Sequence, residues 1–280
     1  MTETPARPEA PWALRLVPPF PAVAHRIMAL VSREDADIHE LQNLVKMDPS
    51  FSAELLRFAN SGLFAVRGKV QSLSHAIMLV GMDRVKMIAT FVVLNRMVRS
   101  SLRIEALRKV WTHCVVTAVV AEGLAEAFRQ TRDSAYAIGL LHNLGTLGLM
   151  CAYPEQYSCM LEVNREFGFD LLQTERDLFE IDHCLAGEHL ARAWDYPEEF
   201  AVAIRTHHET PVSGEASLAN LVKVSWRLSD TLGYSIFPES TVSNYEDLIA
   251  IMPGASSTPI GQSREAALAE ISARFKEIPK

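Results

Sequence analysis

Apolar residues recur along this chain at intervals of three and four, which is the spacing of one face of an α-helix. Two early segments show the rhythm, Val23-Ile27-Leu30-Val31 and Ile38-Leu41-Leu44-Val45. We find no sustained alternation of apolar and polar residues bounded by turn residues, which is the pattern of a half-buried strand. The chain is therefore predicted to be all-α, with an N-terminal bundle of short helices packed with a second helical lobe.

Start and stop residues divide this pattern into separate helices. Asp48 can cap free backbone N–H groups, Pro49 suits the first helical turn, and Gly62 ends the segment. Further helices are predicted at 83–99, 105–130, 134–144, 154–167, 183–194, 197–208, 215–233 and 263–277. Trp111 is expected to anchor the core, and residues 1–11, with three prolines and little apolar bulk, to form a disordered tail.

Composition narrows the class of protein. Of the 280 residues, 49% are hydrophobic and 22% are charged, which is a globular balance. The formal net charge of −7 disfavours general binding to nucleic acid or anionic membranes, because phosphates repel an acidic chain. The longest apolar runs, such as MIATFVVL, are about half of what a bilayer crossing needs. With no secretory signal pattern and no C-x-x-C spacing, we expect a cytoplasmic protein with reduced thiols.

Five of the nine histidines lie in apolar or helix-terminal contexts. Together with one aspartate they form a candidate metal site: His113, His142, His183, His207, His208 and Asp230. Imidazole nitrogens and carboxylate oxygens are usual ligands of divalent transition metals. The alternative for each histidine is a buried ring that hydrogen-bonds a carbonyl or a neighbouring side chain.

Several segments, taken in order, resemble one bacterial family. VPPFPAVAHRIMALV is similar to its Leu-Pro-x-Leu-Pro start, VKMDPSFSAELLRFANS to its Asp-Pro segment, and SLSHAIMLVGMDRVKMI to its Ala-Ile-x-x-Leu-Gly segment. VWTHC, GLLHNLGTLGL and DHCLAGEHLARAWDYPEEFAVAIRTHH follow in the same order. Over roughly residues 14–210 the chain thus resembles the HDOD family, the HD-related output domain, a branch of the HD superfamily of metal-dependent phosphohydrolases. The resemblance implies that the second lobe is HD-domain-like.

The same resemblance argues against catalysis. Active HD enzymes carry His-Asp where this chain has His142 and Asn143, and HD-GYP phosphodiesterases have a lysine where Thr146 stands. The Gly-Tyr-Pro signature is not seen at the matching place. Because an amide is neutral, Asn143 is expected to remain as a buried hydrogen-bonding residue, a structural remnant of a metal pair. One carboxylate is too few for two metal ions, so the site is expected to be empty or to hold a single transition-metal ion.

The resemblance implies a non-catalytic output or scaffold domain that acts on a signalling protein partner. Two alternatives remain open: a metal-dependent phosphohydrolase of nucleotides or cyclic di-nucleotides, and a nucleotide-binding receptor without turnover. No other cofactor, no nucleic acid and no membrane are expected, and the partner and the oligomeric state are left open. We divide the chain into a tail (1–11), an HDOD domain (12–212) and a C-terminal helical extension (213–280).

Overall fold

The structure is a computed structural model that describes residues 11–17, 26, 30, 37–60, 70, 72, 75, 88, 90–236, 244–254 and 258–275. Within these ranges every regular element is helical and no strand occurs, which confirms the all-α prediction. The predicted tail at 1–11 lies outside the described residues except for Pro11. The division at 212/213 stays a prediction.

Fourteen helices are described within those ranges. They are α1 (Ile38–Lys46), α2 (Pro49–Ala59), α3 (90–98), α4 (Glu105–Leu124), α5 (Arg132–Leu141), α6 (Leu144–Ala152), α7 (Pro154–Phe167), α8 (Leu171–Phe179), α9 (His183–Ala193), α10 (Glu198–Thr206), α11 (Leu218–Ser229), α12 (Tyr245–Ile251), α13 (Pro259–Gln262) and α14 (Arg264–Phe275).

Helix α4 forms the centre of the protein. Most of its residues are buried, and it packs against α5 and α11. Its apolar residues cover nearly the whole circumference, as expected for a helix enclosed by others. Trp111 lies on α4 and is 8% exposed, with its ring centroid 5.4 Å from that of Phe91. The prediction that this tryptophan anchors the core is confirmed.

Helices α6 and α9 cross at very short range because two glycines meet there. A Cβ atom built on Gly145 would lie 2.0 Å from the carbonyl oxygen of His183 and 2.6 Å from the backbone nitrogen of Gly187. Such distances cannot be relieved by rotating a side chain, since the atoms belong to the backbone. The glycine that follows the His-Asn pair therefore brings His183, the first residue of α9, against the start of α6.

Most predicted helices are present, with shorter ends. The segment 154–167 matches α7, whereas the helix predicted at 105–130 ends at Leu124, before a turn in which Arg129 adopts a φ of 56°. Four described helices were not predicted separately: α6, which is apolar on all sides, α8, α12 and α13.

One stretch, Arg132–Ala152, is long and apolar enough to cross a membrane by length and composition. It is not one straight helix, because it is interrupted between α5 and α6 at His142 and Asn143. Within its most apolar window 83% of the residues are buried against the rest of the protein. This degree of burial is typical of helices in the core of a protein.

Candidate metal centre

The six predicted ligands lie on five helices or directly after them, and all six border one small cavity of about 20 Å³. His113 is inside α4, His142 follows α5, and His183 begins α9. His207 and His208 follow α10, and Asp230 follows α11. Asn143, Thr146, Trp226 and Ile236 complete the lining.

Backbone carbonyls fix the tautomer of three of these histidines. The Nδ1 atom of His142 lies 2.7 Å from the carbonyl oxygen of Gly139, and that of His207 lies 2.7 Å from the carbonyl oxygen of Ile204. Nδ1 of His113 lies 2.9 Å from the carbonyl oxygen of Tyr234. A carbonyl only accepts, so each Nδ1 carries the proton and donates it. Each Nε2 then has a free lone pair, as a metal ligand requires.

Three Nε2 atoms converge at the spacing of ligands around one ion. The Nε2 atom of His183 lies 3.4 Å from Nε2 of His207 and 3.0 Å from Nε2 of His208. With metal–nitrogen bonds of about 2.0–2.1 Å, two ligand atoms of a tetrahedral zinc site are about 3.3 Å apart. When two imidazole nitrogens lie this close, their lone pairs repel each other unless a proton or a cation lies between them.

The remaining predicted ligands lie at increasing distance from this group. The ring of His142 is 5.3 Å from that of His207 and 5.4 Å from that of His113, so it stands between the two. Nε2 of His142 is buried and has no hydrogen-bond partner among the described residues. Asp230 contacts His113, with Oδ1 3.5 Å from Nδ1. The structure thus brings the imidazoles into one row, with the carboxylate at its far end.

Burial and mutual repulsion keep most of these rings neutral. Burial lowers the pKa of His113 to about 4, against the opposing effect of the Tyr234 carbonyl. Burial first, and then neighbouring histidines, hold the pKa values of His142, His207 and His208 well below the usual value. Neutral imidazole is the metal-binding form, so no proton has to leave these rings at neutral pH.

His183 differs from the other four because a carboxylate contacts it. Burial alone would lower its pKa, but Glu175 outweighs burial and the pKa of His183 lies well above the usual value. Oε2 of Glu175 lies 2.7 Å from Nδ1 of His183. Glu175 is fully buried on α8. Glu175 was not among the predicted site residues, because its role depends on this contact between α8 and α9.

A cysteine also belongs to the group. Cys184, together with His183, His207 and His208, offers ligand atoms that all lie within 4.8 Å of one another. Its Sγ atom lies 3.8 Å from Nδ1 of His207. Cys184 directly follows His183 in the sequence. This position next to a predicted ligand could have identified it as a candidate ligand.

Helix α11 holds the two adjacent histidines in place. Trp226 donates from Nε1 to the carbonyl oxygen of His207 at 2.6 Å, and Arg227 donates to the carbonyl oxygens of His207 and His208. Burial lowers the pKa of Arg227 to about 10, with Asp230 opposing the shift. These donors satisfy carbonyls at the end of α10, so the predicted C-terminal extension contributes directly to the site.

Asn143 occupies the buried start of α6 beside these rings. Burial raises the pKa of the Cys114 thiol to about 12, and a hydrogen bond from Asn143 opposes that shift. The amide thus lies against Cys114 of α4, and its role as a structural remnant stays a prediction. Whether a metal also uses its oxygen stays a prediction.

The donor set fits one metal ion and does not fit two. The three converging Nε2 atoms and the thiol of Cys184 suit zinc, nickel or iron. A two-metal centre needs carboxylates that bridge or neutralise its ions. In the lining of this cavity Asp230 is the single carboxylate, and Asn143 is neutral. When bound, one ion would link α9 and the end of α10.

Comparison with known proteins identifies the family. A family model for the HDOD domain matches residues 17–210, which agrees with the resemblance seen over 14–210. This chain belongs to the HDOD domain family. An uncharacterized protein from Treponema pallidum is 27% identical over 204 residues, covering 71% of this chain and 39% of that protein. The chain therefore matches about two fifths of the relative's length.

Solved structures share the HDOD fold. An HDOD domain protein of unknown function from Geobacter sulfurreducens superposes with a TM-score of 0.69 at 22% identity, over 94% of this chain and 91% of that one. A candidate signal-transduction protein from Marinobacter aquaeolei superposes with a TM-score of 0.71 at 24% identity, over 96% of this chain and 61% of that one. A candidate phosphohydrolase from Shewanella amazonensis superposes with a TM-score of 0.69 at 18% identity, over 95% of this chain and 96% of that one. At these identities the likeness concerns the fold alone.

Proposed function

We propose that this chain is a non-catalytic signalling domain that acts through contact with a protein partner. Membership of the HDOD family supports a signalling-related role. The observation that carries the non-catalytic part is the size of the histidine-lined cavity, about 20 Å³. Such a space is about that of one water molecule and far below the usual volume of a pocket for a small-molecule ligand.

The chemistry of the lining supports the same proposal. Asn143 and Thr146 stand where a metal-binding aspartate and a phosphate-binding lysine occur in the active enzymes that the chain resembles. Thr146 is buried and its Oγ1 lies 3.4 Å from the hydroxyl of Tyr157. A single ion on neutral imidazoles would stabilise the junction of α9 and α10, and lacks the second ion that clamps a leaving group.

An exposed aromatic tip supports the protein-binding part. At the end of α7, Phe167 and Phe169 are 61% and 57% exposed, and their rings stack with centroids 5.7 Å apart. Val163 is also exposed on α7. Four exposed charged residues are neighbours of this tip in the sequence, three carboxylates and one arginine: Glu162, Glu166, Asp170 and Arg165. An apolar pair within an acidic rim suits a partner segment with apolar anchors flanked by lysine or arginine.

The catalytic question is tested by direct assay. Purified protein, loaded with manganese, iron or nickel, is incubated with cyclic di-nucleotides and nucleoside phosphates. We expect no turnover above that of His142→Ala. Metal-dependent hydrolysis that disappears in this variant would support the phosphohydrolase alternative, and ligand-linked thermal stabilisation without turnover would support the receptor alternative.

The partner surface is tested with a defined probe. A lysine-leucine amphipathic helical peptide should bind the protein, and the double variant F167S/F169S should weaken binding at least tenfold. Val212→Ser is the control, since Val212 is an exposed apolar residue outside the tip. Equal binding to the double variant, or equal binding of a glutamate-leucine peptide, would exclude this surface.

A further inference from the structure

Glu175 is a fully buried carboxylate with three defined donors. Its Oε2 atom lies 2.7 Å from the backbone nitrogen of His183 and 2.7 Å from Nδ1 of the same residue. Its Oε1 atom accepts from the hydroxyl of Tyr157. Among the described residues His183 is its one ion-pair partner. A carboxylate in such surroundings is costly unless positive charge lies nearby.

The two residues that donate to Glu175, Tyr157 and His183, are held in place by their own contacts. Tyr157 is fully buried, its ring stacks on Phe179 with centroids 5.9 Å apart, and its oxygen is close to Thr146. Asp182 caps α9 by accepting from the backbone nitrogen of Leu185, which sets the first turn that carries His183. The carboxylate therefore has one orientation, and it faces the side of the imidazole opposite the cavity.

We propose that Glu175 is the positioning residue of the metal centre and supplies negative charge behind its ligands. By accepting from Nδ1 it fixes the tautomer of His183 and turns Nε2 toward His207 and His208, where a zinc-class divalent ion binds. A carboxylate behind a ligating imidazole also raises the basicity of the ligand. Asn143 supplies no charge, so the compensating carboxylate stands behind the ligand rather than on the ion. The inference rests on the one-metal centre proposed above and is independent of turnover.

The test is a zinc titration by calorimetry of metal-free protein, repeated with Co²⁺, whose absorption spectrum reports the coordination. Glu175→Gln keeps the shape and an accepting oxygen but removes the charge. We expect its zinc affinity to fall about 10- to 100-fold, in line with other residues that support a metal ligand. Asp177→Asn is the matched control, because Asp177 is exposed on the same helix; its affinity should equal that of the wild type. Glu175→Asp, which keeps the charge, should bind zinc more tightly than Glu175→Gln.

Three results would overturn the proposal: wild-type protein that binds no zinc, Glu175→Gln with wild-type affinity, or Glu175→Asp that binds no better than Glu175→Gln. A measurement on the wild-type protein alone keeps the proposal testable if a variant does not fold. ¹⁵N resonances of His183 should show Nδ1 protonated and Nε2 bound to zinc. A zinc-bound Nδ1, or an imidazole unaffected by zinc, contradicts the assignment. None of these outcomes depends on whether the domain signals or hydrolyses.

Discussion

At the scale of single residues, the account depends on the amide that replaces a carboxylate in the His-Asn pair. Asn143 is 5% exposed and hydrogen-bonds to its surroundings without carrying charge. An aspartate there would be a buried charge beside His142, which has no positive charge to offer when its pKa is well below the usual value. The amide therefore suits a protein that must be stable without a second ion.

Asn143→Asp should have opposite effects on the two forms of the protein. It should destabilise the metal-free form by on the order of 3 kcal/mol, because the new charge is buried and unpaired. It should also raise the affinity for zinc, because the charge attracts the ion. Thermal unfolding with chelator and with zinc measures both, and an unchanged midpoint in chelator would contradict the placement of Asn143.

Trp111→Ala should destabilise the protein by about 3–5 kcal/mol, since a large buried ring is removed and a cavity is left. Trp12→Ala is the control, because Trp12 is 41% exposed and packs on Tyr153 at the surface. Urea unfolding should show a small effect for the control. Equal losses for both variants would mean that Trp111 does not anchor the core.

At the scale of helices, the approach of α6 to α9 decides the geometry of the centre. Gly145→Ala should destabilise by about 1–3 kcal/mol or more, because its Cβ would meet backbone atoms. In Gly148→Ala, on the same helix, the added Cβ would meet side chains alone: the end of Leu190 at 2.7 Å and Val17 at 3.5 Å. That variant should be close to neutral, since alanine favours the helix by about 1 kcal/mol.

The readout is the unfolding free energy of the two alanine variants, together with zinc affinity. Gly145→Ala should also weaken zinc binding, because α9 carries His183. If both variants lose the same stability, or if Gly145→Ala binds zinc as the wild type does, then the contact between α6 and α9 does not position the ligand.

The sequence predicts helices where one face is apolar and the ends are capped, and it misses helices that lack this contrast. α6 is apolar all round, so it merged with the pattern of α5. α8 is different, because it has a capping residue, Asp170, and an apolar face, and its nine residues were left unassigned although they carry the signal. The histidines that line the cavity were selected because residue type alone suggests a ligand. Glu175 was missed because its role depends on a contact between helices that no spacing within the sequence encodes.

At the scale of the whole molecule, the buried histidines make stability depend on pH. His113, His142, His207 and His208 have folded-state pKa values below the unfolded value of about 6.5. Between those values the unfolded chain binds more protons, so their contribution to stability is lost as pH falls below about 6.5. His183 has a raised pKa, so its contribution is lost as pH rises above about 6.5.

The metal-free protein should therefore be most stable near pH 6.5, with a steeper loss on the acid side, where four rings act together. Each unit of pKa shift corresponds to about 1.4 kcal/mol. Thermal unfolding in chelator from pH 5 to pH 9 measures the profile. A midpoint that rises steadily toward pH 5 would contradict the neutral state of the four histidines.

The most direct test of the central claim, that the centre accommodates one ion and cannot support two-metal hydrolysis, is its metal stoichiometry. Metal-free protein is reconstituted with excess zinc, manganese, iron or nickel, freed of unbound metal, and measured by elemental analysis. We expect at most one equivalent per chain. It should be lost in His183→Ala and retained in Asp230→Asn. Two equivalents per chain in the unmodified protein would contradict it.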